Sequence, residues 1–149
     1  MTSGAEPVFV DTNILVYASA SGAPFHTAAR SAVECLHDTG VTAWVSRQVL
    51  REYLATLTRP QIFAQPRNPV ALASDVRRFQ TRFRVAEDSP AVTRRLLELL
   101  EEIPMGGKQV HDANIVATMQ VHGVRRLLSA NVTDFLRYAH LITIEPLTT

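Results

Sequence analysis

Four acidic residues, Asp11, Glu52, Asp112 and Asp134, carry the chemistry that this chain could perform. Two like charges about 4 Å apart repel by roughly 4 kcal/mol at an effective dielectric near 20. Carboxylates brought together must therefore be protonated or hold cations. Oxygen donors without Cys or paired His select hard ions such as Mg²⁺ or Mn²⁺. Such an ion activates water and neutralises charge at a phosphoryl centre, so phosphodiester hydrolysis is the natural reaction. Taken singly, each acid has a plainer reading. Asp11 and Asp134 read as helix N-caps, Asp112 as a charge favouring a helix dipole, and Glu52 as a solvated surface group. Convergence of all four on one edge is what favours chemistry.

The elements around these residues predict that convergence. Val8-Phe9-Val10 is a short apolar strand, suited to a parallel sheet covered on both faces, and it ends at Asp11-Thr12-Asn13. A helix is expected from Ile14 to Ala18 and another from Phe25 to Asp38, closed by a left-handed Gly40. Val41 to Val45 reads as a strand, and Ser46 caps a helix reaching Thr58. Glu52 lies beside the Leu50, Tyr53, Leu54 and Leu57 stripe of that helix. After a Pro-rich loop, a helix over Val70–Arg82 and a strand near Phe83–Ala86 are expected. Ser89-Pro90 opens a helix that should bury Val92, Leu96, Leu99, Leu100 and Ile103. A further helix runs from Lys108 to His122, capped by Gly123, with Asp112 in its first turn on the face of Ile115, Val116 and Met119. Strands at Arg125–Ser129 and Leu141–Ile144, with a short helix near Phe135–Ala139 between them, complete the chain. Strands alternating with helices imply an α/β fold: a three-layer α/β/α sandwich on a parallel sheet of about four to five strands, formed by residues 1–149 as a single domain. Function in such sheets collects at the carboxyl ends of the strands, which is where Asp11, Asn131 and Asp134 fall.

Val8-Phe9-Val10-Asp11-Thr12-Asn13-Ile14-Leu15 resembles the opening motif of PIN-domain nucleases. His111-Asp112-Ala113-Asn114-Ile115-Val116-Ala117 is similar to their third motif, and Leu128-Ser129-Ala130-Asn131-Val132-Thr133-Asp134-Phe135 to their fourth. Arg51-Glu52-Tyr53-Leu54 matches the weaker second motif. The order and spacing agree from Val8 to about Pro146, and a compact chain of this kind is most similar to VapC-type toxins of bacterial toxin–antitoxin pairs. The resemblance implies an Mg²⁺- or Mn²⁺-dependent endoribonuclease. Asp11, Glu52, Asp112 and Asp134 would bind the metal and position the attacking water, with no protein nucleophile and with 5′-phosphate and 3′-hydroxyl products. Asn13 and Ser129 would orient the carboxylates. Some family members carry an Asp where this chain has Asn131, so either Asn131 or Asp134 completes the site. The implied partners are an RNA substrate, a small cognate antitoxin held in a groove of the early helices, and a second copy of the chain. Ile14, Val16 and Tyr17 are candidates for an apolar surface near Asp11.

Composition narrows the alternatives. The chain has 149 residues, 46% apolar and 19% charged, which suffices for a core without a disulfide or zinc staple. One cysteine, Cys35, excludes an internal disulfide and reads as a small core residue; Trp44 also reads as core. With no membrane-length apolar run and no basic leader, a soluble cytoplasmic protein is expected. Net charge is only +1, but fourteen of the fifteen cations are Arg, which makes forked contacts to phosphate. Gly106-Gly107-Lys108 is no phosphate loop, because Gln109 replaces the required Ser or Thr. His111 reads as a bystander to Asp112, the other histidines lack ligand spacing, and the Arg77, Arg78, Arg82 run reads as a solvated helix face. A phosphatase of the haloacid-dehalogenase kind needs an Asp where Asn13 stands. A non-catalytic PIN-like module binding RNA or protein is the main alternative.

Overall fold

The computed structural model describes residues 5–148. Five strands, β1 (Val8–Val10), β2 (Ala43–Ser46), β3 (Arg84–Ala86), β4 (Arg126–Ser129) and β5 (Thr143–Pro146), form one sheet in the order β3-β2-β1-β4-β5. Every neighbouring pair is parallel. The apolar run at β1 is buried on both faces, as a central parallel strand requires. From β1 the chain steps outward through β2 to β3, then crosses back to β4 and β5 on the other side. Right-handed crossovers place the helices of these two excursions on opposite faces of the sheet. The first group is α1 (Thr12–Ser19), α2 (His26–Asp38), α3 (Arg47–Leu57) and α4 (Pro69–Arg82). The second is α5 (Pro90–Glu102), α6 (Gln109–Val121) and α7 (Val132–Phe135), the last continued by a 3₁₀ turn over Leu136–Tyr138. Direction reverses between β1 and β4, and a ligand crevice opens at such a reversal, outside the strand carboxyl ends.

Local chemistry explains the boundaries. Asp11 caps α1, its Oδ1 accepting from the Thr12 amide at 2.8 Å, so the helix starts two residues before Ile14. Ser46 caps α3 through the Val49 amide. Gly40 and Gly123 both take φ of 73°, closing α2 and α6 in the left-handed region. Ser89 precedes α5 as expected, yet its hydroxyl makes no capping bond.

Several expectations require correction. Strands β2 and β5 each begin two residues later than read, because Val41 and Leu141 accompany the preceding turns, where their amides donate to Leu36 and Tyr138. On α5, Val92 and Leu99 are buried but Leu100 is 42% exposed. Cys35 is exposed rather than core, since Ala29 is the fully buried residue of α2. Trp44 is half-buried, with the Arg84 guanidinium 4.8 Å from its ring centroid. Ile14 and Val16 are buried and belong to the core, which leaves Tyr17 as the partly exposed member of that trio.

Candidate active site

The end of β1 and the end of β4 meet first. The Asp11 amide donates to the Leu128 carbonyl at 3.0 Å, which sets Asp11 beside Ser129. Asp11 is buried, and its Oδ2 accepts from the Ser129 hydroxyl at 2.7 Å and from Asn13 Nδ2 at 3.1 Å. Asn13 Oδ1 in turn accepts from the Ala130 amide at 3.1 Å, and Ser129 Oγ accepts from the Asn131 amide at 3.0 Å. Burial pushes the Asp11 carboxyl up to about 6, against the lowering effect of the Ser129 and Thr12 bonds; the Glu52 charge adds to the rise. A buried acid with three donors is thus held in one orientation yet remains costly to ionise.

Glu52 approaches from α3. Thr12 Oγ1 donates to its Oε1 at 2.6 Å and Gln48 Nε2 to its Oε2 at 3.0 Å. Asp112 comes from the first turn of α6, half-buried. Its carboxyl is raised to about 7 by burial first, then by the charges of Asp11, Asp134 and Glu52, with Arg137 opposing. Asp134, on α7, is exposed at the rim. All four acids line one cleft of about 710 Å³ together with Asn13 and Asn131, while Ser129 lies buried beneath it against Asp11. Another depression of about 790 Å³, around Ala23, Phe25 and Cys35, contains no carboxylate.

Three features of the cleft escaped the sequence reading. His111, expected as a bystander to Asp112, lines it together with Lys108 on the turn that opens α6. Gln48 is buried against Glu52, and its spacing of four residues on one helix was the available signal. The cleft's far wall is the loop after α3, carrying Arg59, Gln61 and Phe63. That loop docks on Gly22, where a Cβ would lie 2.7 Å from the Phe63 carbonyl oxygen. Elsewhere, Asp75 is a buried acid that ion-pairs with Arg67 and Arg78 and accepts from the Tyr53 hydroxyl. Its place among Leu72, Val76 and Phe79 on α4 marks it as paired and inward-facing. Arg78 is therefore engaged with Asp75, and Arg77 and Arg82 stay exposed on α4 outside the cleft.

The profile of the PIN domain matches residues 8–141, from the first residue of β1 to the approach of β5. The chain belongs to the PIN-domain family. It is 28% identical over 142 residues to Ribonuclease VapC24 of Mycobacterium tuberculosis, covering 93% of this chain and 96% of that protein. Ribonuclease VapC48 of the same organism is 26% identical over 141 residues, 91% of this chain and 94% of the relative. Among solved structures, VapBC2 from Rickettsia felis bound to a promoter DNA fragment superposes with a TM-score of 0.65 at 18% identity, covering 95% of this chain and 98% of that one. Mycobacterium tuberculosis VapC20, a sarcin–ricin loop cleaving toxin, gives 0.61 at 23% identity over 80% and 86% of the two chains. These likenesses establish the PIN fold, and the acid-lined cleft of this PIN domain lies at the reversal in its sheet. No described helix is long and apolar enough to cross a membrane.

Proposed function

We propose that this protein is an endoribonuclease, dependent on Mg²⁺ or Mn²⁺, that acts as the toxin of a toxin–antitoxin pair in the cytoplasm. The observation that carries this reading is the meeting of Asp11, Glu52, Asp112 and Asp134 in one cleft at the switch point of the sheet. The ribonuclease names of the curated relatives and the toxin–antitoxin complexes among the structural neighbours agree with it.

The donor set fits a hard cation. It is all oxygen, and two of its carboxyls are pushed up to about 6 and about 7, a cost that a divalent charge relieves. Among the described residues no three His, Cys, Asp or Glu side chains close a cage by themselves. Mg²⁺ keeps several waters and takes only one or two carboxylates directly, with substrate phosphate completing its shell. Asp11, Glu52, Asp112 and Asp134, which line the cleft together, are the residues that would hold the ion. When bound, the ion supplies a water nucleophilic at neutral pH and neutralises charge on the phosphoryl group.

The chain's own groups do the rest. Ser129 and Asn13 hold Asp11 in one orientation, and Thr12 does the same for Glu52. The Ser129 hydroxyl is fully buried and already engaged, so it is unfit to attack; the family resemblance implies water as the nucleophile, with 5′-phosphate and 3′-hydroxyl products. Arg51, Arg59 and Lys108 line the cleft without a described ion pair to any of its acids, which leaves them for RNA phosphates. A small antitoxin is the proposed inhibitor and a second copy of the chain the proposed assembly partner.

Incubation of the purified protein with total RNA tests the activity. Cleavage should require Mg²⁺ or Mn²⁺ and vanish in folded Asp11→Asn and Asp112→Asn variants. Cleavage in EDTA, or full activity of those variants, would overturn the mechanism. No cleavage under any condition would favour an RNA- or protein-binding module. A short adjacent gene whose product co-purifies with the chain and silences it would establish the toxin role.

A further inference from the structure

We infer that Gln48 is a positioning residue that fixes the Glu52 carboxylate relative to the helix carrying Asp112; this rests on the nuclease reading above. Gln48 is 6% exposed, and both ends of its amide are engaged. Its Nε2 donates to Glu52 Oε2 at 3.0 Å and to the His111 carbonyl at 2.9 Å. Its Oε1 accepts from Asn114 Nδ2 at 2.8 Å. One NH₂ group thus spans the carboxylate of α3 and the peptide immediately before Asp112 on α6.

The direction of that amide matters. Turned over, Gln48 would present its oxygen to two acceptors, Glu52 and the His111 carbonyl, and its NH₂ to the Asn114 donor. The His111 carbonyl, which can only accept, therefore selects the NH₂ end that faces Glu52, and Asn114 engages the remaining oxygen. With Thr12 Oγ1 on Oε1 at 2.6 Å and Gln48 on Oε2, Glu52 is gripped at both oxygens, from the β1–α1 junction and from the α3–α6 contact. Neither Gln48 nor Asn114 is ionisable, so both can set the carboxylate geometry without adding charge. Groups that orient carboxylates around an ion change metal affinity or activity about 10–100-fold when removed.

The test compares Gln48→Leu, Asn114→Ala and a packing control, Ile115→Val on the same helix, all in the full chain. Mn²⁺ binding to the metal-free proteins is measured by electron paramagnetic resonance, beside kcat and KM on RNA. Gln48→Leu should weaken Mn²⁺ binding and lower kcat by about tenfold or more while KM stays within about twofold. Asn114→Ala should move both in the same direction by less, and Ile115→Val should lose stability with Mn²⁺ binding unchanged. Mn²⁺ affinity and kcat within about twofold of the parent in Gln48→Leu, or equal losses in Ile115→Val, overturn the inference. If Gln48→Leu fails to fold, Asn114→Ala decides on the same criteria. A parent that binds Mn²⁺ but cuts no RNA refutes the nuclease reading alone, and the binding arm still judges Gln48. A parent that does neither refutes both.

Discussion

Replacing Asp112 with Asn should stabilise the metal-free protein at neutral pH while abolishing cleavage. The influences on the Asp112 carboxyl are burial and the charges of Asp11, Asp134, Glu52 and Arg137, with no hydrogen bond among them. The amide therefore removes a charge and keeps the shape. The rise from 3.8 to about 7 corresponds to about 4 kcal/mol against the ionised form. Asp112 is only half-buried, so solvent screening reduces this to about 2 kcal/mol. The sign follows from proton binding. The folded state holds the proton more tightly than the unfolded state, so stability falls as pH rises from about 4 to about 7, and the whole penalty is present above that. The variant escapes it. For a chain of this size each kcal/mol moves Tm by about 2–4 °C, giving a gain of roughly 4–8 °C at pH 8 that shrinks towards zero near pH 4. Thermal melts in EDTA across that range measure it. Saturating Mg²⁺ or Mn²⁺ should raise the parent's Tm and leave the variant's nearly fixed. A variant that melts below the parent at pH 8 in EDTA, or a gain that does not vary with pH, refutes the idea that crowded carboxylates await a cation.

Ser129→Ala removes the hydroxyl that lowers the Asp11 carboxyl, so that carboxyl should rise further and the acid limb of the kcat/KM profile should move to higher pH. Loss of that buried bond should also cost about 1–3 kcal/mol in denaturant melts. Thr12→Val keeps the volume and deletes the 2.6 Å bond to Glu52; kcat should fall about tenfold with little change in Tm, as steady-state kinetics and melts would report. Asp75→Ala removes the buried acceptor shared by Arg67 and Tyr53, whose hydroxyl keeps Ser19 as a partner, and should cost about 1–3 kcal/mol, read by urea unfolding, without changing the metal requirement of cleavage.

The strand order and the site followed unequally from the residues. β1 was legible because a continuous apolar run ending in Asp-Thr-Asn has few other uses, and α6 because Asp112 shares the face of Ile115, Val116 and Met119. Leu100 and Cys35 misled, since helical periodicity locates a face only to within about one residue in four, and both lie at the edge of the buried stripe. Gln48 and Asp75 were missed for a related reason: a polar residue beside an apolar stripe is ordinarily solvated, and only its partners reveal that it is buried.

Local chemistry written in the chain determined the alternation of strands and helices, the caps at Asp11 and Ser46, and the acids placed at strand and helix ends. Tertiary structure alone decided how close those acids come and what holds them. The bond from Ser129 to Asp11 spans 118 residues, and that from Asn114 to Gln48 spans 66. Separations of that length are set by β1 pairing with β4 and by α3 packing near α6, through side-chain geometry that periodicity does not encode. The raised Asp112 carboxyl has the same origin: its burial and its three acidic neighbours exist only once the sheet has reversed direction between β1 and β4.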